Sequence, residues 1–198
     1  MTTRSRGRPP GRSDARERIL TAARTSFLRH GYDATTMRAI GTAADVDQAL
    51  IGYYFGSKQG LFGSALSLGT TPGQIMERVL RGAPEHLPQA ILETLIAAWD
   101  DPETGAPLTR LVTRAQTDPA LQRALGEYVQ RELTGRLATH IGGEYALERA
   151  GNALTATLGV IISRYVLKLH PLATMEPRRL VRLLAPSLAA ALQDSRTG

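Results

Sequence analysis

TTMRAIGTAADVDQALIGYYF, residues 35–55, decides the fold. Thr35 or Thr36 offers a hydroxyl to cap a helix whose apolar positions, Met37, Ile40 and Ala44, recur at three- and four-residue spacing. Only Asp45 and Val46 follow before Asp47, which caps a second helix carrying Ile51 and Phe55 inward. Upstream, Asp14 and Glu17 form a capping-box pattern, Ile19, Ala23 and Phe27 recur at four-residue spacing, and Gly31 supplies a stop. Three helices with so short a turn between the last two make a helix-turn-helix unit.

With Ile51 and Phe55 in the core, the step of about 100° per residue aims Ala49, Leu50, Gly52 and Tyr53 outward, with Gln48 at the helix start. An outward face without charged side chains suits a major groove, where Ala49 and Leu50 meet thymine methyls and Gln48 and Tyr53 hydrogen-bond to base edges or phosphates. The alternative is that Leu50 and Tyr53 pack against a neighbouring helix.

Beyond this unit Ser57 caps a fourth helix that buries Leu61, Phe62, Ala65 and Leu66, and Gly69 to Gly73 breaks it. Periodicity then predicts helices at roughly 74–81, 87–99, 105–116, 119–140, 145–169 and 177–193, with prolines, Pro107 among them, at or between their starts. Pro186 is expected to kink the last one. Strand signals are essentially missing, so the fold class is all-α: an N-terminal three-helix unit and a larger C-terminal helical domain. The expected divisions are a basic arm at 1–13, the helix-turn-helix at 14–60 and the helical remainder at 61–198.

Composition narrows the chemistry. Without any cysteine among 198 residues there is no disulfide, thiolate metal site or cysteine nucleophile, and a reducing, cytoplasmic setting is expected. The four histidines lack ligand-pair spacing, so no metal or cofactor is called for. The N-terminus is arginine-rich rather than apolar, and Leu154 to Leu169 is interrupted by polar residues, so neither a secretory signal nor a membrane span is expected. Residues 1–60 hold ten Lys and Arg against five Asp and Glu, whereas the rest hold fourteen against thirteen, so the net +6 sits almost wholly at the N-terminal end, where a polyanion is drawn. Arg6-Gly7-Arg8-Pro9 is similar to the core of an AT-hook, and Arg4, Arg6, Arg8 and Arg12 fit a minor-groove arm. A tail making nonspecific phosphate contacts fits them equally.

Residues Arg16 to Leu66 resemble the N-terminal DNA-binding domain of TetR-type regulators. The resemblance rests on an ordered set: Arg18 to Ala23, Phe27, Gly31-Tyr32, Thr35-Thr36, Ile40, Val46, and Tyr54-Phe55-Gly56-Ser57-Lys58 running on to Leu61-Phe62. It implies that Arg38 reaches a guanine edge, that Thr36 both caps its helix and meets a phosphate, and that Lys58, at a helix N-terminus, meets another. Asp45 stands where most relatives have glycine, a position aspartate tolerates. Gly52 stands where most have a large residue, so that contact does not transfer, and Tyr53 and Tyr54 take more of the load.

The resemblance further implies a ligand-responsive repressor on a palindromic double-stranded DNA operator, nucleoid-associated when bound. It implies a homodimer made by the last two long helices, with Leu154, Leu158, Ile161, Tyr165, Leu184 and Leu188 at the interface, although an intramolecular core also accounts for these residues. It implies a small-molecule effector, for which Trp99, Arg110, Leu111, Arg114, Tyr128 and Tyr165 are the candidate lining. The competing readings are an architectural DNA binder using only the basic arm, and a small helical enzyme. No nucleophile triad, phosphate loop or close carboxylate pair supports the enzyme.

Overall fold

The computed structural model describes residues 12–66 and 72–193. Arg4, Arg6 and Arg8 of the expected arm lie outside the described residues, and Arg12 enters only through its backbone. Eleven α-helices run in order: α1 Arg12–Ala34, α2 Met37–Ala44, α3 Gln48–Phe55, α4 Lys58–Ala65, α5 Pro72–Val79, α6 Leu87–Asp100, α7 Pro102–Ala115, α8 Pro119–Val129, α9 Arg136–Ile141, α10 Ala146–Val160 and α11 Pro177–Leu192. Among the described residues there is no strand, and no helix is long and apolar enough to cross a membrane.

The helices start and stop for local reasons. Helix α1 begins before Asp14, so Asp14 and Glu17 lie within it and form no capping box; Asp14 places negative charge in the first turn, as the helix dipole prefers. Gly31, at φ 86° and ψ 174°, kinks it. Thr35 and Thr36 divide the labour expected of either: the Thr36 hydroxyl accepts from the Ala39 amide at 3.1 Å, and the buried Thr35 hydroxyl donates to the Gly31 carbonyl at 2.7 Å. Asp101 ends α6 and caps α7, accepting from the Glu103 amide at 3.0 Å. Helix α7 therefore starts three residues earlier than its periodicity suggested, and Pro107 lies inside it rather than at its start. Helix α11 continues across Pro186 as one element.

Two of the long segments are interrupted by π-helical turns, Gln130–Gly135 between α8 and α9, and Ile161–Val166 after α10. Both turns carry buried charge: Glu132 in the first and Arg164 in the second.

Packing produces two main cores. The first joins Ile19, Phe27, Ile40, Ile51, Phe55, Leu61 and Phe62 of the N-terminal helices to Ala124 and Tyr128 of α8. The second joins Ile91, Leu92 and Ile96 of α6 to Ala150 and Ala153 of α10 and Leu180, Val181 and Leu188 of α11. A smaller cluster of Leu108, Leu111, Ala115 and Leu121 sits where the N-terminal head meets the body. Helix α4 straddles the expected division at residue 60, since Leu61 and Phe62 belong to the head core.

Candidate DNA-binding face and effector cleft

The second and third helices are held by a turn that the sequence builds atom by atom. Asp45 adopts the left-handed conformation, φ 52° and ψ 54°, and ends α2. Asp47 caps α3, accepting from the Ala49 amide at 2.6 Å. Ile40, Ala44, Ile51 and Phe55 are buried between the helices, which leaves the other side of α3 to solvent. Gln48 and Ala49 are exposed, Leu50 and Gly52 are half-buried, and Tyr53 is 74 % exposed. Tyr53 and Leu50 are therefore not sealed inside the protomer. A side chain grown on Gly52 would meet nothing, so that position also faces outward.

Thr36 and Arg38 are exposed beside this face, and Arg38 has no ion-pair partner among the described residues. Tyr54 differs: it is half-buried and packs against the head core, with its ring 5.4 Å from that of Tyr53. It buttresses the exposed tyrosine rather than sharing the outward face.

Lys58 also differs. Its ammonium donates to the Asp33 carbonyl at 3.2 Å and stands 4.5 Å from the Tyr32 ring centre. Burial, followed by the nearby Arg131 guanidinium, pushes its pKa below the ordinary lysine value. This side chain ties α4 to the end of α1, and the outward cation the sequence suggested is turned inward.

Lys58 belongs to a junction that local sequence reasoning missed. The Tyr32 hydroxyl donates to Glu132 at 2.8 Å, and Glu132 is held from its other side by Arg136 at 2.8 Å. Arg131 pairs with Asp33 at 2.8 Å, and the Asp33 amide donates to Glu127 at 2.9 Å. Arg123 donates to the carbonyls of Leu28 and Arg29. Burial first, and the Glu132 carboxylate second, drive the Tyr32 hydroxyl far above its ordinary pKa. The first π-helical turn thus presents acid and base side chains to the kinked end of α1. Gly31 and Tyr32 were visible in the sequence, but their partners lie about a hundred residues away, beyond any local signal.

Five of the six candidate effector residues gather on one side of the body. Arg110, Leu111 and Arg114 line a cleft of about 240 Å³ together with Arg24, Leu28, Leu66, Pro107 and Leu121. Trp99 packs on the same apolar cluster, and its ring lies 5.3 Å from that of Tyr165. Tyr128 is elsewhere: it is 1 % exposed in the head core, and its hydroxyl accepts from the Gly73 amide at 2.8 Å. It fixes α5 to α8 and is not part of the cleft that Arg110, Leu111 and Arg114 line.

The stripe on α10 and α11 splits in two. Ile161 and Leu188 are buried in their own protomer, Leu154 and Leu184 are half-buried there, and Tyr165 turns to α6, donating to Asp100 at 2.9 Å. Arg164 binds the same carboxylate at 3.4 Å. Burial disfavours its charge, but the hydrogen bonds to Tyr165 and Asp100 outweigh burial and raise its pKa. With one side of each helix thus spent, the outward apolar residues are Leu147, Leu158 and Leu183, at 52 %, 41 % and 55 % exposure. Only Leu158 of the six expected interface residues is among them. Gly151 and Gly159 lie on the outward side of α10 with open space beyond them.

Comparison with known proteins agrees with this architecture. Residues 19–65 match the family described as bacterial regulatory proteins, tetR family, and residues 85–192 match the tetracyclin repressor-like C-terminal domain. An HTH-type transcriptional regulator of Mycobacterium bovis is 31 % identical over 152 residues, covering 70 % of this chain and 75 % of the relative. The HTH-type transcriptional regulator BetI of Burkholderia mallei is 25 % identical over 188 residues, covering 86 % of this chain and 94 % of BetI. In fold, a TetR-family regulator structure from Mesorhizobium loti superposes with a TM-score of 0.52 at 22 % identity, covering 91 % of this chain and 96 % of that one. The chain belongs to the TetR family of bacterial regulators, proteins that bind DNA to control transcription and are not enzymes.

Proposed function

We propose that this regulator is a homodimeric, effector-responsive repressor that reads a palindromic operator with Gln48, Ala49, Leu50 and Tyr53 of α3 and with Thr36 and Arg38 of α2. The observation that carries the reading is the outward side of α3, uncharged and topped by a tyrosine at 74 % exposure, on a helix whose other side is locked into the head core. Exposing a large aromatic ring has no benefit for folding, whereas a base edge or phosphate gives it both stacking area and a hydrogen-bond partner. The head at 14–60, extended by the first turns of α4, acts as the reading unit; residues 61–198 form the dimer and hold the effector.

Arg4, Arg6, Arg8 and Arg12 supply a basic arm that adds affinity through phosphates or an A·T-rich minor groove. The protein works in the cytoplasm, on the nucleoid. The dimer is made by the outward sides of α10 and α11 at Leu147, Leu158 and Leu183, which stay 41–55 % exposed in their own protomer.

Selection of bound duplexes from a random pool, without any effector, tests this reading. A two-fold symmetric consensus that the Gln48→Ala, Tyr53→Ala double variant fails to enrich is the expected result. Enrichment of no sequence, or the same consensus from the double variant, overturns it.

A further inference from the structure

The cleft between head and body has a chemistry that singles out its ligand. Arg24 and Leu28, four residues apart, share one side of α1; Arg110, Leu111 and Arg114 share one side of α7; Leu66 closes the apolar wall. Three arginines therefore line a space of about 240 Å³ whose walls hold no Asp or Glu. Arg114 reaches Asp118 at 3.4 Å, whereas Arg24 and Arg110 have no ion-pair partner among the described residues. Like charges gathered without a counter-charge repel, and an anion placed among them relieves that repulsion. The rest of the wall is leucine and proline, which strands any hydroxyl laid against it without a hydrogen bond.

We infer that this cleft binds a small amphipathic monocarboxylate, its carboxylate held by the arginines in forked hydrogen bonds and its compact apolar body against Leu28, Leu66 and Leu111. At about 240 Å³ the space falls just below the ordinary range of small-molecule sites, about 300–1,000 Å³, which suits a short fatty or aromatic acid. A polyol phosphate is excluded by the leucine wall. Because Arg24 and Leu28 sit on α1 beside the reading helices while Arg110 and Arg114 sit on α7, the occupied cleft ties α7 to α1, and carboxylate and operator affinities are coupled reciprocally.

The inference rests on the reading of the chain as effector-responsive, and calorimetry on the full-length protein without DNA tests it separately from operator selection. Benzoate and hexanoate are the probes, with benzyl alcohol, hexylamine and inorganic phosphate beside them. Saturable binding of at least one carboxylate, weaker by about tenfold or more in Arg110→Glu and partly restored in Arg110→Lys, is expected. The ligand-free melts of these exposed-site variants should be no lower than the parent's, and Arg24→Gln repeats the test should Arg110→Glu not fold. The inference is overturned if neither carboxylate saturates, if hexylamine, benzyl alcohol or phosphate binds as tightly, or if the arginine variants bind unchanged.

Discussion

Tyr53 shows how one side chain separates a reading helix from a packing one. Its ring is 74 % exposed, so Tyr53→Ala should leave the thermal melt within about 0.5 kcal/mol of the parent. Operator affinity in the same variant should fall about tenfold or more, as should that of Arg38→Ala, measured by gel shift at fixed salt. An equal loss of stability and affinity would return Tyr53 to the core. The neighbouring Tyr54 and Lys58 were less legible, because their orientation depends on atoms far along the chain. Periodicity places Tyr54 near the outward face without revealing that its ring fills the edge of the head core. Lys58 sits at a helix start, but Asp33 and Tyr32 claim its ammonium. Two other tyrosines give a pH signature. The folded-state pKa of Tyr32 is raised by burial and Glu132, and that of Tyr165 by burial and Asp100. A group whose pKa is raised on folding contributes stability that is complete below its unfolded value, here 10.0, and lost as pH climbs toward the folded value. Alkaline titration followed by tyrosinate absorbance should therefore show Tyr32 and Tyr165 ionising only as the protein unfolds. Ionisation of Tyr32 and Tyr165 near pH 10 in a folded chain would remove both hydrogen bonds from the account.

At the scale of helices, caps and breaks carried most of the information. Asp47 and Ser57 each accept an amide hydrogen at the start of a helix, and the four- and three-residue apolar spacing of α1, α2 and α3 matches what is buried. The π-helical turns were invisible, because a single extra residue in a helical turn barely disturbs apolar periodicity and is stabilised by tertiary partners such as Tyr32 and Asp100. For the same reason the stripe on α10 could not be divided into inward and outward halves until α6 and α11 were in place. The kink in α1 is the element most exposed to test. Gly31 has a left-handed φ of 86°, and the Glu127 carboxylate occupies the space a Cβ would need. Gly31→Ala should cost about 1–3 kcal/mol in denaturant unfolding, since both the backbone and the Asp33–Glu127 hydrogen bond must give way. An unchanged midpoint would mean that the head and α8 are not fastened there.

Across the whole molecule, two cores do different work: one fixes the reading face on α8, and the other builds a body with an unpaired apolar side. Leu158 and Leu188 lie on the last two long helices yet answer to different partners. Leu158→Arg should yield folded monomers by light scattering, while Leu188→Ala, at 1 % exposure, should cost about 2–5 kcal/mol of protomer stability. Dimeric Leu158→Arg would place the interface elsewhere. Two-fold pairing matters because one α3 of eight residues reads too little DNA to specify a site, whereas two reading successive major grooves about 34 Å apart do. A hydroxyl-radical footprint of the full-length protein on its selected duplex tests that arrangement most directly. The account predicts two equivalent protected segments related by a dyad, one helical turn apart, both lost in Tyr53→Ala at the concentration that saturates the parent. A single unsymmetrical patch, or protection that persists in Tyr53→Ala, would contradict it.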